Sequence, residues 1–261
     1  MIYSHIPIIS ICFYIPVSLR AKTLFQKWAR SGGIVLRDSH PGILETVVQA
    51  QSIHILGSGM KPERPAHQAI LDLDKAGWRL IPVHPRDAGG SIAGRAIRPS
   101  IEDGVIPEIV VFFLAPERAK QAVQKLLFRF DRETMPLLWF QPGSEHEDVL
   151  EMLNEAGFPH IVDDCIVRFV KRHHLSASTP TTVDSWYRQI ASEDGDGCSV
   201  WTVHGPDEAL LPPATTLEWC GDLHDLNVSE HTVARYIRSL VRVDETLEDA
   251  AVRLTLPETQ G

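Results

Sequence analysis

Five short apolar runs alternate with helix-like stretches through the middle of the chain, and this alternation restricts the folds open to it. The runs cover residues 52–56, 78–83, 109–114, 137–140 and 160–162. Helical patterns at 65–75, 116–129 and 144–156 separate them. Strands that alternate with helices predict a parallel sheet covered on both faces. We therefore expect an α/β, Rossmann-like, doubly wound fold with a parallel five-stranded sheet in the order 3-2-1-4-5.

Local signals predict where these helices begin and end. Gly77 and Gly157 follow helical patterns, where a glycine in the left-handed conformation commonly ends a helix. Ser144 and Glu147 have the spacing of a capping box, which predicts a helix start between them. Because crossovers between parallel strands are right-handed, all strand-to-helix turns should lie at one edge of the sheet.

Charge is distributed unevenly along the chain. Residues 1–180 carry 20 basic and 19 acidic side chains, whereas residues 181–261 carry 5 basic and 15 acidic ones. A Ser/Thr-rich stretch at 176–185 resembles a linker. We predict an N-terminal extension at 1–40, a Rossmann-like domain at 41–175, a linker at 176–185 and a mainly helical acidic domain at 186–261. Within the last domain we expect a strand at 199–204 and helices at 217–226, 230–241 and 246–253.

Bulk composition argues against several classes of protein. A formal net charge of −9 disfavours sequence-independent nucleic-acid binding by the whole chain. The four cysteines form no C-x-x-C pair, which fits a reducing cytoplasm. The apolar stretch at 6–19 contains two prolines and is too short to cross a bilayer as a helix. We expect a cytoplasmic protein without a membrane partner.

The turn after the first predicted strand is the strongest indication of a binding site. It contains Gly57, Ser58 and Gly59, and Lys61 and Arg64 follow it before the predicted helix. The N–H groups and the dipole of a helix start favour anions, and glycine lets a phosphate approach the backbone closely. We predict that these five residues hold a phosphate group of a cofactor.

The turn is not a complete dinucleotide fingerprint. Pro62 occupies the position where G-x-G-x-x-G has its third glycine. The second strand ends in His84, not in the acid that would bind the ribose of NAD. His84 and Arg86, which flank Pro85, suit a phosphorylated ribose better.

Further candidates follow the third, fourth and fifth strands. Phe113, Leu114 and Pro116 would form an apolar wall, or belong to the core. Gln141 would hydrogen-bond an amide of the ligand, and Gly143 stands beside it. Cys165 is either a buried thiol or a partner in a mixed disulfide with a ligand thiol.

Five short motifs occur in a fixed order. They read G-S-G-M-K-P-E-R-P-A-H at 57–67, R-L-I-P-V-H-P at 79–85, a glycine at 94 followed by P-S-I-E-D at 99–103, W-F-Q-P-G at 139–143 and V-D-D-C-I at 162–166. In order and spacing they resemble the small bacterial and archaeal Rossmann-like coenzyme A (CoA)-binding proteins. They resemble, more distantly, the CoA-binding domain of succinyl-CoA synthetase and of the NDP-forming acyl-CoA synthetases.

The resemblance implies a ligand and its orientation. CoA or acyl-CoA would bind with its diphosphate at the Gly57 turn and its pantetheine arm near Gln141 and Gly143. The chain departs from the family at 111–114, which read V-F-F-L instead of D-V-F-R, and at Asp164, which replaces an arginine. The synthetase relatives need further domains for which this chain has no room.

Two weaker patterns lie in the last third of the chain. Cys198, His204, Cys220 and His224 lack the usual spacing of a zinc site. Residues 226–238 have a helix-turn-helix pattern with Ser229 as the predicted N-cap of the second helix. The acidic character of the surrounding segment disfavours DNA contact, so dimerisation or docking of a partner is the alternative.

Taken together, these features predict a CoA- or acyl-CoA-binding protein that acts as a binding or regulatory module and not as an enzyme. We find no convergent nucleophile–base pair and expect no metal. Two alternatives remain open: a nucleotide-sensing transcriptional regulator with a C-terminal helix-turn-helix, and an NAD(P)- or acyl-CoA-dependent enzyme. We expect a homo-oligomer, such as a homodimer, or a partner protein bound through the C-terminal domain.

Overall fold

The structure, a computed structural model, describes residues 35–36 and 41–255. Its main sheet has six parallel strands in the order β1-β8-β7-β6-β2-β3. They are β1 (Val35–Leu36), β2 (Ser52–Leu56), β3 (Arg79–Val83), β6 (Ile109–Phe112), β7 (Leu137–Phe140) and β8 (His160–Ile161). The predicted parallel α/β sheet is therefore confirmed, but it has six strands and not five, because β1, in the segment predicted as an extension, pairs with β8. The apolar stretch at 6–19 and Cys12 lie outside the described residues.

The predicted strand order is wrong. Numbered as in the prediction, the five strands follow the order 2-1-3-4-5, so that β2 lies between β3 and β6. Local patterns do not distinguish the two orders, because both use parallel strands and right-handed crossovers. The outer edge of β3 is closed by Arg98, whose N–H donates to the carbonyl of Pro82 and whose carbonyl accepts from the N–H of His84. This edge therefore has no place for a further long strand.

A short hairpin occupies the crossover between β3 and β6. Its strands β4 (Ser91–Ile92) and β5 (Arg95–Ala96) pair in antiparallel fashion. In the described chain no helix lies between Val83 and Ile109, although a helix usually covers such a crossover. The C-terminal part packs on this hairpin, where Ala96 lies buried with Trp186 and Cys220.

Helices cover both faces of the main sheet. They are α1 (Pro41–Gln49), α2 (Pro65–Leu73), α3 (Pro116–Arg129), α4 (Glu147–Ala156) and α5 (Ile166–Arg172). Helices α1, α2 and α5 bury apolar side chains against one face, and α3 and α4 bury theirs against the other. The doubly wound arrangement is therefore confirmed. None of the helices within the described residues is long and apolar enough to cross a membrane.

Two of the three predicted helix signals are confirmed. Gly77 follows the short 3-10 turn that extends α2, and Gly157 ends α4; their φ angles are 88° and 68°. The predicted capping box is wrong. The N-cap residue of α4 is His146, which makes no side-chain cap bond. The Ser144 hydroxyl instead donates to the carbonyl of Phe112 at 2.8 Å, which ties the β7–α4 turn to the neighbouring strand.

The C-terminal part contains a sheet as well as helices, so the mainly helical prediction is partly wrong. Strands β9 (Trp186–Ala191), β10 (Ser199–His204) and β11 (Leu217–Asp222) form an antiparallel sheet in the order β10-β9-β11. Helices α6 (Leu223–Val228), α7 (Thr232–Ser239) and α8 (Leu247–Arg253) pack with it. The strand predicted at 199–204 is confirmed.

The helix predicted at 217–226 begins instead as strand β11. The reason lies in tertiary packing, because Trp219 is buried and stacks near Trp201 of β10 with ring centroids 5.8 Å apart. The helix starts only after Asp222, whose carboxylate accepts from the N–H of Asp225 in a capping box. Local propensity is commonly overridden by such packing.

The helix-turn-helix prediction placed Ser229 wrongly as a cap. The N-cap residue of α7 is His231, whose ring accepts from the N–H of Val233. The buried Ser229 hydroxyl donates to the carboxylate of Glu102 instead. Arg238 donates to the carbonyl of Leu226 at 2.7 Å, so one of its guanidinium N–H groups is used within the protein.

Two buried charges, Arg98 and Asp225, and two half-buried ones, Arg79 and Asp222, join the C-terminal part to the main sheet. Arg79 of β3 contacts both Asp222 and Asp225 at 2.7 Å. Arg98 contacts Asp222 at 2.9 Å and Asp225 at 2.7 Å. Burial alone would raise the pKa of Asp225, but the charges of Arg98 and Arg79 outweigh it and hold the pKa below its ordinary value. This cluster, called the Arg–Asp quartet below, keeps both carboxyls ionised at neutral pH.

Candidate functional site

A cleft of about 1410 Å³ opens at the carboxyl edge of the main sheet. It is lined by the turns that follow β2, β3, β6 and β7 and by the start of α5. In open α/β sheets this edge, near the point where the strand order reverses, is the usual ligand site. The reversal occurs here between β2 and β6.

The structure brings all but two of the predicted site residues to this cleft. Those that line it are Gly57, Gly59, Lys61, Arg64, His84, Pro85, Arg86, Phe113, Leu114, Gln141 and Gly143. Ser58 is fully buried, and its hydroxyl donates to the carbonyl of Ile55. Pro116 is the first residue of α3, and the preceding Ala115 lines the cleft in its place. Their contacts with a ligand stay predictions.

Gly57 lies where the carboxyl ends of β2, β3 and β6 meet, at the point where the strand order reverses. Its N–H donates to the carbonyl of Val83 at 2.8 Å. Its φ angle is 98°, and a Cβ atom there would lie 2.4 Å from the carbonyl oxygen of Phe113. A side chain at this position would therefore be strained by its backbone conformation and would collide with the end of β6.

The carboxylate of Asp87 lies over the same turn. It accepts from the N–H of Met60 at 2.8 Å and lies 3.3 Å from Nδ1 of His84. A Cβ atom at Gly59 would lie 2.1 Å from its Oδ2 atom. One amide of the predicted anion site is therefore held by a carboxylate of the protein itself. The sequence analysis missed Asp87, because nothing in its spacing distinguishes it from an ordinary loop acid.

Two helices begin at the cleft without a side-chain cap. The N-cap residues are Arg64 for α2 and Ala115 for α3, and neither makes a cap hydrogen bond. Both N-cap residues line the cleft, as do Pro65 and Ala66 in the first turn of α2. The uncapped N–H groups and the positive ends of both helix dipoles therefore favour an anionic ligand.

Basic side chains dominate the cleft. They are Lys61, Arg64, Arg86, Arg118, Lys125, Arg129 and Arg168, against the acids Asp87 and Asp103. Arg129 is used internally: it donates to three carbonyls of the 101–105 segment and lies 3.1 Å from Asp103. The other six form no salt bridge with any residue in the described parts of the chain. This charge is available for a ligand.

The sequence analysis missed the basic side chains that α3 contributes to the lining of the cleft. Arg118, Lys125 and Arg129 lie on one face of the helix, together with Gln121 and Ala122. Residues spaced by three, four and seven positions share a helix face. The signal was therefore present in the sequence, in a helix whose bounds had been predicted.

The end of the cleft near β7 and β8 contains an unsatisfied polar group. Gln141 is 5% exposed, and its Nε2 atom is buried without a hydrogen-bond partner among the described residues. Leaving a buried donor unpaired costs roughly 1–3 kcal/mol. Cys165, the N-cap residue of α5, is half-buried and lines the same end.

The remaining cysteine and histidine candidates do not converge. His204 contacts Glu208 at 3.1 Å, and the buried Cys220 thiol lies 3.2 Å from the carbonyl of Ile97. Burial raises the pKa of Cys220 to about 12. Within residues 35–36 and 41–255, no group of three or more His, Cys, Asp or Glu side chains is placed to hold a metal ion.

The C-terminal part contacts one wall of the cleft. The Glu102 carboxylate accepts from Nε1 of Trp219 at 3.0 Å, and the carbonyl of Asp103 accepts from the N–H of Glu230 at 2.8 Å. Ile101 and Asp103 line the cleft on either side of Glu102. The wall formed by 99–103 is thus held from behind by β11 and the α6–α7 turn.

Comparison with protein families gives a match over the segment that builds the cleft. Residues 51–170 match the family described as CoA binding domain. The match runs from the start of β2 into α5 and covers less than half of the chain. The C-terminal part lies outside it.

Individual relatives cover a similar segment. The chain is similar to the uncharacterized protein YneT of Bacillus subtilis (strain 168), at 29% identity over 126 residues, which are 48% of this chain and 88% of YneT. Among solved structures, cell-free ID.343 from Thermus thermophilus has 29% identity, covers 52% of this chain and 98% of its own, and gives a TM-score of 0.45. A hypothetical protein from Pyrococcus horikoshii OT3 has 25% identity, covers 52% and 92%, and gives a TM-score of 0.45.

Proposed function

We propose that the protein binds CoA or acyl-CoA in the cleft at the carboxyl edge of its main sheet, because residues 51–170 match the family described as CoA binding domain. In this proposal the protein is a binding or regulatory module and not an enzyme. The observation that carries the proposal is the convergence of six unpaired basic side chains and two uncapped helix starts on one cleft.

The charge of the ligand matches the charge of the cleft. CoA carries a diphosphate and a ribose phosphate, which together require several positive partners. Lys61 and Arg64 lie beside the first turn of α2, where the diphosphate would bind. Arg86, beside His84 and Pro85, would meet the ribose phosphate. Arg118 and Lys125 line the cleft from α3 and would add to either group.

The groups at the opposite end suit the pantetheine arm. Phe113 and Leu114 offer apolar surface between the two ends of the cleft. The unpaired Nε2 atom of Gln141 would donate to an amide carbonyl of the arm. The buried Ser144 hydroxyl lines the cleft, but it donates to the backbone carbonyl of Phe112 and not to a side chain that could act as a general base. This arrangement favours binding over nucleophilic catalysis.

A second candidate ligand follows from Asp87. A carboxylate after the second strand of a dinucleotide-binding fold accepts from the ribose hydroxyls of NAD. Asp87 lies in the turn after β3 and faces the glycine turn, a position that would suit such a contact. An NAD-type dinucleotide is therefore the alternative that a titration must test.

Thermal denaturation with a ligand series tests the proposal. A ligand at 100 times its dissociation constant adds about 2.7 kcal/mol to the free energy of unfolding, which raises the melting temperature by several degrees. We expect this rise with CoA and acetyl-CoA, a smaller one with dephospho-CoA, and none with NAD or NADH. Stabilisation by NADH without stabilisation by CoA would instead support the dinucleotide candidate.

The substitution Asp87→Asn separates the two ligands. The amide oxygen of asparagine still accepts from Met60, but the negative charge beside the predicted diphosphate site is removed. We expect the dissociation constant of CoA, measured by calorimetry, to fall by about tenfold because like-charge repulsion is lost. Asp72→Asn is the control, since Asp72 pairs with Lys171 outside the cleft. Weaker binding of NAD by Asp87→Asn, with CoA unaffected, would contradict the proposal.

A further inference from the structure

Two residues at the β7–β8 end of the cleft have chemistry that binding of phosphates does not use. Cys165 is a half-buried thiol at the cleft wall. Gln141 lines the same wall and is only 5% exposed. Its Nε2 atom is buried and has no hydrogen-bond partner among the described residues. The unsatisfied donor indicates that an uncharged acceptor of a ligand, such as an amide carbonyl, belongs beside this thiol.

The distance along the sheet edge fits the arm of CoA. From β2, which precedes the glycine turn, to β8, which precedes Cys165, there are three strand spacings. At ~4.8 Å per spacing the two turns are ~14 Å apart. The pantetheine arm has about twelve bonds between the phosphate oxygen and the sulfur, the length of about four extended residues, or ~14 Å. A diphosphate at the Gly57 turn therefore places the thiol end of the arm near Cys165.

We propose that Cys165 undergoes thiol–disulfide exchange with a disulfide of CoA bound in this cleft, so that the protein carries CoA as a mixed disulfide. This inference rests on the proposed function, because it requires the diphosphate to bind at the glycine turn. Gln141 is assigned as a positioning residue that donates to the amide carbonyl nearest the sulfur.

The exchange balances without a further oxidant. The Cys165 thiol loses its proton to solvent, and the thiolate attacks one sulfur of the CoA disulfide. A bond forms between the sulfur of Cys165 and that sulfur, and the disulfide bond of the ligand breaks. The second CoA leaves as a thiolate and takes up a proton. One thiol of the protein is oxidised to the mixed disulfide, and one half of the ligand disulfide is reduced.

The surroundings of Cys165 favour this reaction over reaction at the other described cysteines. Arg168 lies one turn further along α5 and lines the cleft, where its positive charge would attract the anionic CoA disulfide. Cys198 is exposed, but its hydrogen bond with Asp196 raises the pKa of its thiol. Cys220 is fully buried. Cys198 therefore serves as an internal control, because it is more accessible than Cys165 and does not line the cleft.

The test compares two disulfides on the full-length protein. CoA disulfide and hydroxyethyl disulfide are each added in excess, and peptide mapping by mass spectrometry gives the modification rate at every cysteine. We expect the ratio of the CoA disulfide rate to the hydroxyethyl disulfide rate to be at least about tenfold higher at Cys165 than at Cys198. The adduct should be one CoA moiety and should be removed by dithiothreitol. Equal ratios at the two cysteines would overturn the inference.

Two variants distinguish a failure of the disulfide exchange from a failure of the proposed CoA binding. Cys165→Ser should still be stabilised by CoA in the thermal assay and should lose the preferential adduct. Gln141→Leu should slow modification of Cys165 by CoA disulfide and leave modification by hydroxyethyl disulfide unchanged. If CoA stabilises the wild type but Cys165 shows no preference, the inference fails and the proposed function stands. If CoA does not stabilise the wild type, the proposed function itself fails.

Discussion

Replacing Asp225 with alanine should lower the free energy of unfolding by about 3–5 kcal/mol, because it leaves an unpaired positive charge in the Arg–Asp quartet. Arg98 is 4% exposed, and the side chain of Asp225 is 6% exposed. Both arginines lose a contact of 2.7 Å with Asp225. Asp222 alone would then face the buried guanidinium group of Arg98 and the half-buried one of Arg79.

The loss should exceed that of an ordinary ion pair because the quartet also holds the fold together. Asp225 accepts from the N–H of Asp222 in the capping box that begins α6. Arg79 belongs to β3, whereas Arg98 belongs to the segment that closes the edge of β3. One carboxylate thus links the main sheet, its edge and the C-terminal part.

Urea denaturation measures the effect, and Asp72→Ala is the matched control. Asp72 contacts Lys171 at the same distance, 2.7 Å, but on the surface, and such pairs are worth about 0–1 kcal/mol. The folded-state pKa of Asp225 is lowered, so the contribution of the quartet is full above the ordinary carboxyl pKa and decreases as the pH falls through the folded-state pKa. The difference between wild type and Asp225→Ala should therefore shrink below pH ~4. Equal losses in the two variants at pH 7 would show that the quartet contributes little.

Elements with strong local signals were predictable from the sequence, and their arrangement was not. The bounds predicted for α3 and β7 agree with the structure because a capping proline and a continuous buried run mark them. The strand order depends on the segment 84–108, whose hairpin and Arg98 close the edge of β3. No periodic pattern in that segment predicts the pairing of Arg98 with β3.

The candidate site was likewise predictable where it depends on local sequence, and not where it depends on how distant segments fold together. Most of the predicted site residues stand next to strand ends, and a parallel sheet brings all strand ends to one edge. Asp87 was missed because its position over Gly59 depends on how the loop after β3 folds back. The C-terminal strand at Trp186–Ala191 was missed although its antiparallel partner β10 begins only eight residues later, because its sequence W-Y-R-Q-I-A does not alternate apolar and polar residues.

Replacing Gly57 with alanine should produce the largest loss of ligand binding, a rise of about 100-fold in the dissociation constant of CoA. The new Cβ atom would lie 2.4 Å from the carbonyl oxygen of Phe113, about 1 Å inside ordinary contact. The φ angle of 98° adds strain for a residue other than glycine. The turn must therefore move away from β6.

The movement would separate the glycine turn from the start of α2. Two charge-assisted hydrogen bonds to a phosphate are worth roughly 3 kcal/mol together, which corresponds to about 100-fold in affinity. Binding of CoA is measured by calorimetry, and far-UV circular dichroism checks that the variant is folded. Because the collision involves backbone atoms, a stability loss of about 2–5 kcal/mol should accompany the loss of binding.

Gly195→Ala is the control for backbone strain alone. Gly195 has a φ angle of 66°, and a Cβ atom there meets nothing within 4 Å. This variant should lose about 1–2 kcal/mol of stability through its φ angle and should bind CoA like the wild type. A folded Gly57→Ala that binds CoA as tightly as Gly195→Ala would place the diphosphate elsewhere in the cleft. The arm would then not reach Cys165, because the ~14 Å span is measured from this turn.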